Sequence, residues 1–175
     1  MSLYEEITNW KMPGNVLSES IRLMVPDGKK GNEGIVMWLG QMQAGTATVT
    51  HLVAFEDDLL CKRSDYLQIP SAVMNAVADV SEKMGSVLIG QIHSHPGNFV
   101  NLSIADRRYG ISAPYYLSVV APYYAQKPDT NWRQCGVHQF VPHQGFRRFS
   151  VDETARRISE IPGQISKTIM LGRRK

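Results

Sequence analysis

The sequence predicts an α+β fold, a central mixed sheet flanked by helices, and three observations lead there. Val73, Val77 and Val80, with Met74 and Met84, recur at helical spacing. The runs Gly34–Gly40, Thr46–Phe55 and Ser86–His93 are apolar or β-branched over strand lengths. Helical and extended segments follow one another without a clean βαβ alternation, which speaks against a purely parallel sheet.

Taken in order, Leu17–Met24 reads as a short helix ended by Pro26, Asp27 and Gly28. The polar turn Lys29–Asn32 leads through Glu33 into a buried strand over Gly34–Gly40. Thr46–Phe55 reads as its antiparallel neighbour, joined through Gly45. Glu56–Gln68 is charged and mixed, and is expected to be a loop. Pro70 can open the next helix, because the first turn leaves its N–H unused, and Gly85 ends it. The strand Ser86–His93 stops at Pro96-Gly97, and a helix begins at Ser103 and runs to Arg108. Tyr116–Ala121 and Gly136–Val141 are further strands, and Val151–Ile161 is expected to be a C-terminal helix.

At 175 residues the chain suits one domain over 1–175. Its core would span about residues 16–150, with a C-terminal helix and basic tail over 151–175. With 43% hydrophobic and 20% charged residues it can bury a core without disulfides. Cys61 and Cys135 form no CxxC pair, no apolar run is long enough to cross a membrane, and MSLYEEITNW is no signal peptide. A reducing cytoplasm is the expected compartment. The net charge of +3 includes Arg147, Arg148, Arg156, Arg157, Arg173, Arg174 and Lys175. These read as a solvated face and tail rather than a nucleic-acid surface, because only Phe146 and Phe149 are interleaved for stacking.

The segment QIHSHPGNFVNLSIAD carries chemistry. His93 and His95 alternate along a strand, so both project to one face, about 6.6 Å apart. Seven residues later Ser103-x-x-Asp106 brings a carboxylate at a helix start. Two imidazoles and one carboxylate suit zinc and leave a fourth tetrahedral position open. Ser103 and Asp106 also fit a capping box, which is compatible, since a cap holds a ligand position rigid. A hydrolase further needs a proton acceptor. Glu33 stands at the mouth of the run Gly34–Gly40, although a turn glutamate there is ordinarily exposed. Glu56, Asp57 and Asp58 compete for that role from a charged loop. His51, His138 and His143 lack ligand spacing and read as structural or exposed.

With Glu33, then His93-Ser94-His95-Pro96, then Ser103-Ile104-Ala105-Asp106, the sequence resembles the JAMM (JAB/MPN+) metalloprotease family. The cues EGIVMWLG and LIGQIHSHPG agree, and the resemblance spans roughly residues 16–149. It implies a JAB/MPN-like (cytidine-deaminase-like) fold with His93, His95 and Asp106 as zinc ligands. It implies Glu33 as general acid/base and Ser103 as donor to the developing oxyanion. It also implies a peptide or isopeptide substrate at the C-terminal tail of a ubiquitin-like protein, deconjugated or processed, with E1-like and E2-like proteins as possible partners. Such a tail can lie extended in a groove. The segments Glu56–Gln68 and Tyr123–Trp132 could wall it, with Tyr123, Tyr124 and Trp132 as contacts.

Two other readings compete. A non-catalytic scaffold of the same fold would usually lose some of these five polar residues. A RadC-like nucleic-acid protein would read Pro-Ser-Gly after the second histidine, where Pro96-Gly97-Asn98 stands here. A zinc nucleobase deaminase is excluded, for there is no His-x-Glu with a downstream Pro-Cys-x-x-Cys.

Overall fold

The computed structural model describes residues 5–165 and 167–172; the tail residues Arg173, Arg174 and Lys175 lie outside the described residues. In chain order the elements are β1 (Asn9–Pro13), α1 (Val16–Lys29), β2 (Ile35–Gln43), β3 (Thr46–Phe55), β4 (Cys61–Lys62) and β5 (Leu67–Gln68). There follow α2 (Ser71–Lys83), β6 (Val87–Ser94), α3 (Ile104–Tyr109), β7 (Leu117–Ala121) and a single helical turn at Tyr123–Ala125. The chain ends with β8 (Gly136–Val141), β9 (Gly145–Arg148), α4 (Val151–Arg157), β10 (Ile158–Ile161) and β11 (Thr168–Leu171).

A mixed sheet runs β10-β1-β3-β2-β6-β7-β8-β9, and β11 shares the outer edge of β3 with β1. The β6–β7 pairing is parallel, while β2 is antiparallel to both β3 and β6. Strand alternation divides the apolar side chains between two faces. On one face Val36, Trp38, Leu52, Ile92 and Leu117 pack with Val16, Leu17, Ile21 and Met24 of α1. On the other, Ile35, Met37, Leu39 and Val53 pack with Val73 and Val77 of α2. The fold class is therefore the expected one, a mixed sheet between helices. Among the described residues no helix is long and apolar enough to cross a membrane.

Helix α1 continues through Pro26 and Gly28 rather than ending there. Its actual stop is Gly31, whose φ of +70° is the left-handed conformation that glycine supplies after a helix. Gly28 serves packing instead, for a Cβ there would come 2.1 Å from the Tyr124 carbonyl oxygen. The Glu56–Gln68 loop contains the small hairpin β4–β5. The predicted C-terminal helix stops at Arg157, four residues early, and Ile158–Ile161 instead becomes β10, parallel to β1. Helix α4 buries only Thr154, whereas Ile158 is buried opposite Trp10, so sheet pairing outweighs helix continuation there. Strands β1, β9 and β11 carry no strong periodic signal in the sequence. Cys61 and Cys135 are free thiols; burial pushes the Cys135 thiol up to about 12, so it stays protonated.

Candidate metal centre

The end of β6 is held from both sides. Its neighbours are β2, with Ile35 opposite His93, and β7, with Val120 opposite His93. Ser94 exchanges two bonds with Gly34: Ser94 N–H donates to the Gly34 carbonyl, and Gly34 N–H donates to Ser94 Oγ. His95 N–H donates to the Ala121 carbonyl, and the His95 carbonyl accepts from Tyr124 N–H at 2.7 Å. The second clamp requires a strained turn, since Tyr123, Tyr124 and Ala125 all have φ between 52° and 57°. Three successive non-glycine residues there cost on the order of 1 kcal/mol each, strain of the kind that gathers at functional sites.

Asp106 arrives on α3. Ser103 Oγ accepts from Asp106 N–H at 3.0 Å, and Ser103 N–H donates to Asp106 Oδ2 at 2.7 Å, a complete capping box. The carboxylate is thereby pinned against both imidazoles. His93 Nε2 and His95 Nε2 lie 3.2 Å apart; Asp106 Oδ1 is 3.4 Å from the first and Oδ2 3.2 Å from the second. Atoms bound at about 2.0–2.2 Å to one tetrahedral ion sit about 3.3 Å from one another, so these three donors occupy the corners such an ion requires. The Phe99 carbonyl, 3.0 Å from His95 Nδ1, holds the proton on that nitrogen and turns the Nε2 lone pair inward. His93 Nδ1 is buried and has no hydrogen-bond partner among the described residues. Two inward imidazole lone pairs beside an anion are poorly satisfied by one another and well satisfied by a cation. His93, His95 and Asp106 can therefore hold a metal ion.

The electrostatics agree. Burial alone would raise the Asp106 carboxyl, but His93 and His95 outweigh it and hold Asp106 well below the usual carboxylate range. Burial opposes charge on His95 too, and Asp106 and Glu33 overcome it, raising the imidazole.

Glu33 is buried rather than exposed, contrary to what a turn glutamate ordinarily does. Its N–H donates to the Arg63 carbonyl, so the hairpin β4–β5 and the end of α1 carry it inward. Its side chain accepts no hydrogen bond among the described residues. Burial is the main reason its carboxyl is pushed up to about 7; His95 acts to lower it, and Asp106 and Asp65 to raise it. Lys62 Nζ sits 2.8 Å from Asp27 Oδ1, both side chains nearly buried, and ties the hairpin to α1. Burial raises the Asp27 carboxyl even so, while Lys62 lowers it. Lys62→Met should therefore destabilise the fold by about 3 kcal/mol near pH 7. Because an unpaired buried Asp27 has a still higher pKa, the loss should shrink as pH falls. Urea melts at pH 7 and pH 5 measure both numbers; equal losses would contradict the burial argument.

The other candidates fall elsewhere. Asp57 pairs with Lys30 at the surface, and Glu56 is exposed. His51 bonds to Thr50 and His143 is exposed on a turn. His138 is buried, and its pKa drops to about 4, chiefly through burial. Tyr124 does reach the hairpin, its hydroxyl donating to the Ser64 carbonyl. Trp132 packs edge-on against Trp38 at 6.2 Å and donates to Glu160. Within the basic cluster, Arg147 and Arg157 pair with Glu153 and both guanidiniums lie over Phe149.

A feature that spacing alone did not reveal is a cleft of about 210 Å³ beside His93 and Asp106. Ile35, Leu67, Ile69, Met74, Ile111 and Phe146 give it apolar walls. Its residues come from seven separate elements and the segments that connect them, so only the tertiary fold assembles it.

With the site in view, the class it defines is a small α+β protein with a His-His-carboxylate cluster that could hold a metal ion. No family model matches the chain. The chain is 28% identical to the probable metalloprotease y4jG of Sinorhizobium fredii, over 73% of this chain and 80% of the relative. Its fold is similar to that of a Desulfitobacterium hafniense protein known from a solution structure. The TM-score is 0.64 at 14% identity, covering 88% of this chain and 94% of that one.

Proposed function

We propose that this chain is a zinc metallopeptidase of the JAMM (JAB/MPN+) type, hydrolysing a peptide or isopeptide bond at the C-terminal tail of a ubiquitin-like protein. One observation carries the reading: three donors, from β6, from the residue just after its end and from α3, stand 3.2–3.4 Å apart around one point. Two nitrogens and a carboxylate at that spacing suit zinc, whereas calcium and magnesium prefer six or more oxygens. The name of the Sinorhizobium relative supports a peptidase.

Held by His93, His95 and Asp106, zinc would supply Lewis acidity and lower the pKa of water toward 7. The chain's own residues would do the rest. Glu33 takes one proton from the attacking water. The water oxygen joins the acyl carbon, and the C–N bond breaks. Glu33 then passes the proton to the leaving nitrogen, which gives a carboxylic acid and an amine; the acid's remaining proton moves to the amine, so a carboxylate and an ammonium group result. A carboxyl with a pKa near 7 is suited to both halves of that transfer. Ser103 Oγ uses a lone pair for the Asp106 N–H, which leaves its own proton to donate to the oxyanion.

A protein substrate is favoured by the surroundings. Phe99 and Ile104, between His95 and Asp106, are 60% and 86% exposed, and Tyr109, three residues past Asp106, is 65% exposed. Such a rim is the kind of surface on which a folded partner docks. The ubiquitin-like protein, and the E1-like and E2-like enzymes that would conjugate it, belong to this proposal, as does a cytoplasmic setting. The test is a metal assay joined to a cleavage assay. Purified chain should carry about one zinc and cleave peptides ending in a Gly-Gly tail joined to an amine. Absence of zinc at saturating supply would sink the reading.

A further inference from the structure

We propose that the cleft beside His93 and Asp106 binds the residue on the leaving-amine side of the cleaved bond, and selects a large side chain with a polar tip, tyrosine above all. The inference rests on the peptidase reading and narrows it. Substrates would be main-chain peptides, as in the processing of a precursor, rather than lysine isopeptides.

The position of the cleft comes first. Two of the residues that line it, His93 and Asp106, are also two of the metal-holding residues, so its occupant must be attached next to the reacting carbonyl. A tail of small residues on the acyl side has no side chain to fill it. The occupant is then the residue that leaves.

Size and chemistry come next. A cavity of about 150 Å³ lined by Leu, Ile and Phe accepts benzene. This cleft is about 210 Å³ and has walls of the same kind, so an aromatic ring fits. The floor is different. Gln91 and Ser118 lie on the same sheet face as His93, paired across β6 and β7. Both residues are buried, and both line the cleft. Gln91 Oε1 accepts from the Tyr116 hydroxyl at 3.1 Å, which fixes the amide and leaves its NH2 without a partner among the described residues. The Ser118 hydroxyl likewise has no partner among them. A purely apolar occupant would strand these groups without partners. A phenol tip satisfies them. A lysine isopeptide offers a thin aliphatic stem that fills little of the space and has no hydroxyl tip for the polar floor.

The test uses the zinc-loaded full chain and two readouts. Acetylated peptides with a Gly-Gly tail followed by Tyr, Phe or Gly, and the same tail on a lysine Nε, are compared by kcat/KM. Tyrosine should exceed phenylalanine by about 5-fold and glycine or the isopeptide by more than 10-fold. Leu67→Trp, which fills the cleft from β5, should erase that preference. Separately, p-cresol should shift the Met74 methyl resonance, toluene should do so more weakly, and Leu67→Trp should abolish both shifts. Cleavage without preference, and no Met74 shift, would overturn the pocket and leave the peptidase standing. No cleavage of any peptide by zinc-loaded protein, with p-cresol still bound at Met74, would overturn the peptidase reading and the selection built on it.

Discussion

His95→Ala is expected to remove metal and activity together. The His95 Nε2 is one of three donors at 3.2–3.4 Å spacing, and its loss leaves two. Outer partners of a metal ligand are worth about 10–100-fold in affinity, so a ligand itself should be worth at least about 100-fold. The imidazole is also held by the Phe99 carbonyl. Hydrolysis should fall by at least about 10³-fold. Zinc binding should stabilise the parent by about 4 kcal/mol when free zinc is a thousand times Kd. The variant should show almost none of that gain. Zinc content by mass spectrometry and Tm with and without added zinc decide the matter. A variant that retains one zinc per chain would refute the ligand assignment.

Glu33→Gln separates chemistry from metal binding. The amide keeps the shape of the side chain but cannot take a proton. Zinc content should be unchanged, and kcat should fall by about 10²–10⁴-fold, the usual range for a general acid/base. Stability should move the opposite way. The folded carboxyl is raised from 4.5 to about 7, chiefly by burial. In the metal-free parent, stability is thus full below about pH 4.5 and is lost as pH rises through about 7. The loss is on the order of 1–3 kcal/mol, less where water reaches the site. Glutamine has no such penalty, so metal-free Glu33→Gln should melt higher than the parent at pH 8 and alike at pH 4.5. Full turnover by this variant would assign the proton transfer to another group.

Much of the site was legible because its members are close in sequence. His93 and His95 alternate across the end of one strand, and Ser103 and Asp106 share one capping box, so local geometry orients each pair. Glu33 was harder, since a glutamate after Gly31-Asn32 is ordinarily solvated. Three long-range contacts bury it: Arg63 on its N–H, Ser94 on the next residue, and Lys62 on Asp27. Pro26 and Gly28 look like helix stops, yet Gly28 is there to let the Tyr124 backbone approach. The sequence Ile158–Ile161 continues a helical pattern and is drawn into a strand only because β1 offers an unpaired edge.

By itself the sequence determined which atoms can meet a cation, because alternation on a strand and a cap at a helix start are local properties with fixed directions. Only the tertiary structure decided that Glu33 lies in the interior, where the lack of water rather than any single neighbour lifts its pKa. The fold likewise decided that an apolar cleft with an unsatisfied polar floor opens beside the ligands. Its walls come from residues as distant as Ile35 and Phe146, and no local rule brings those together.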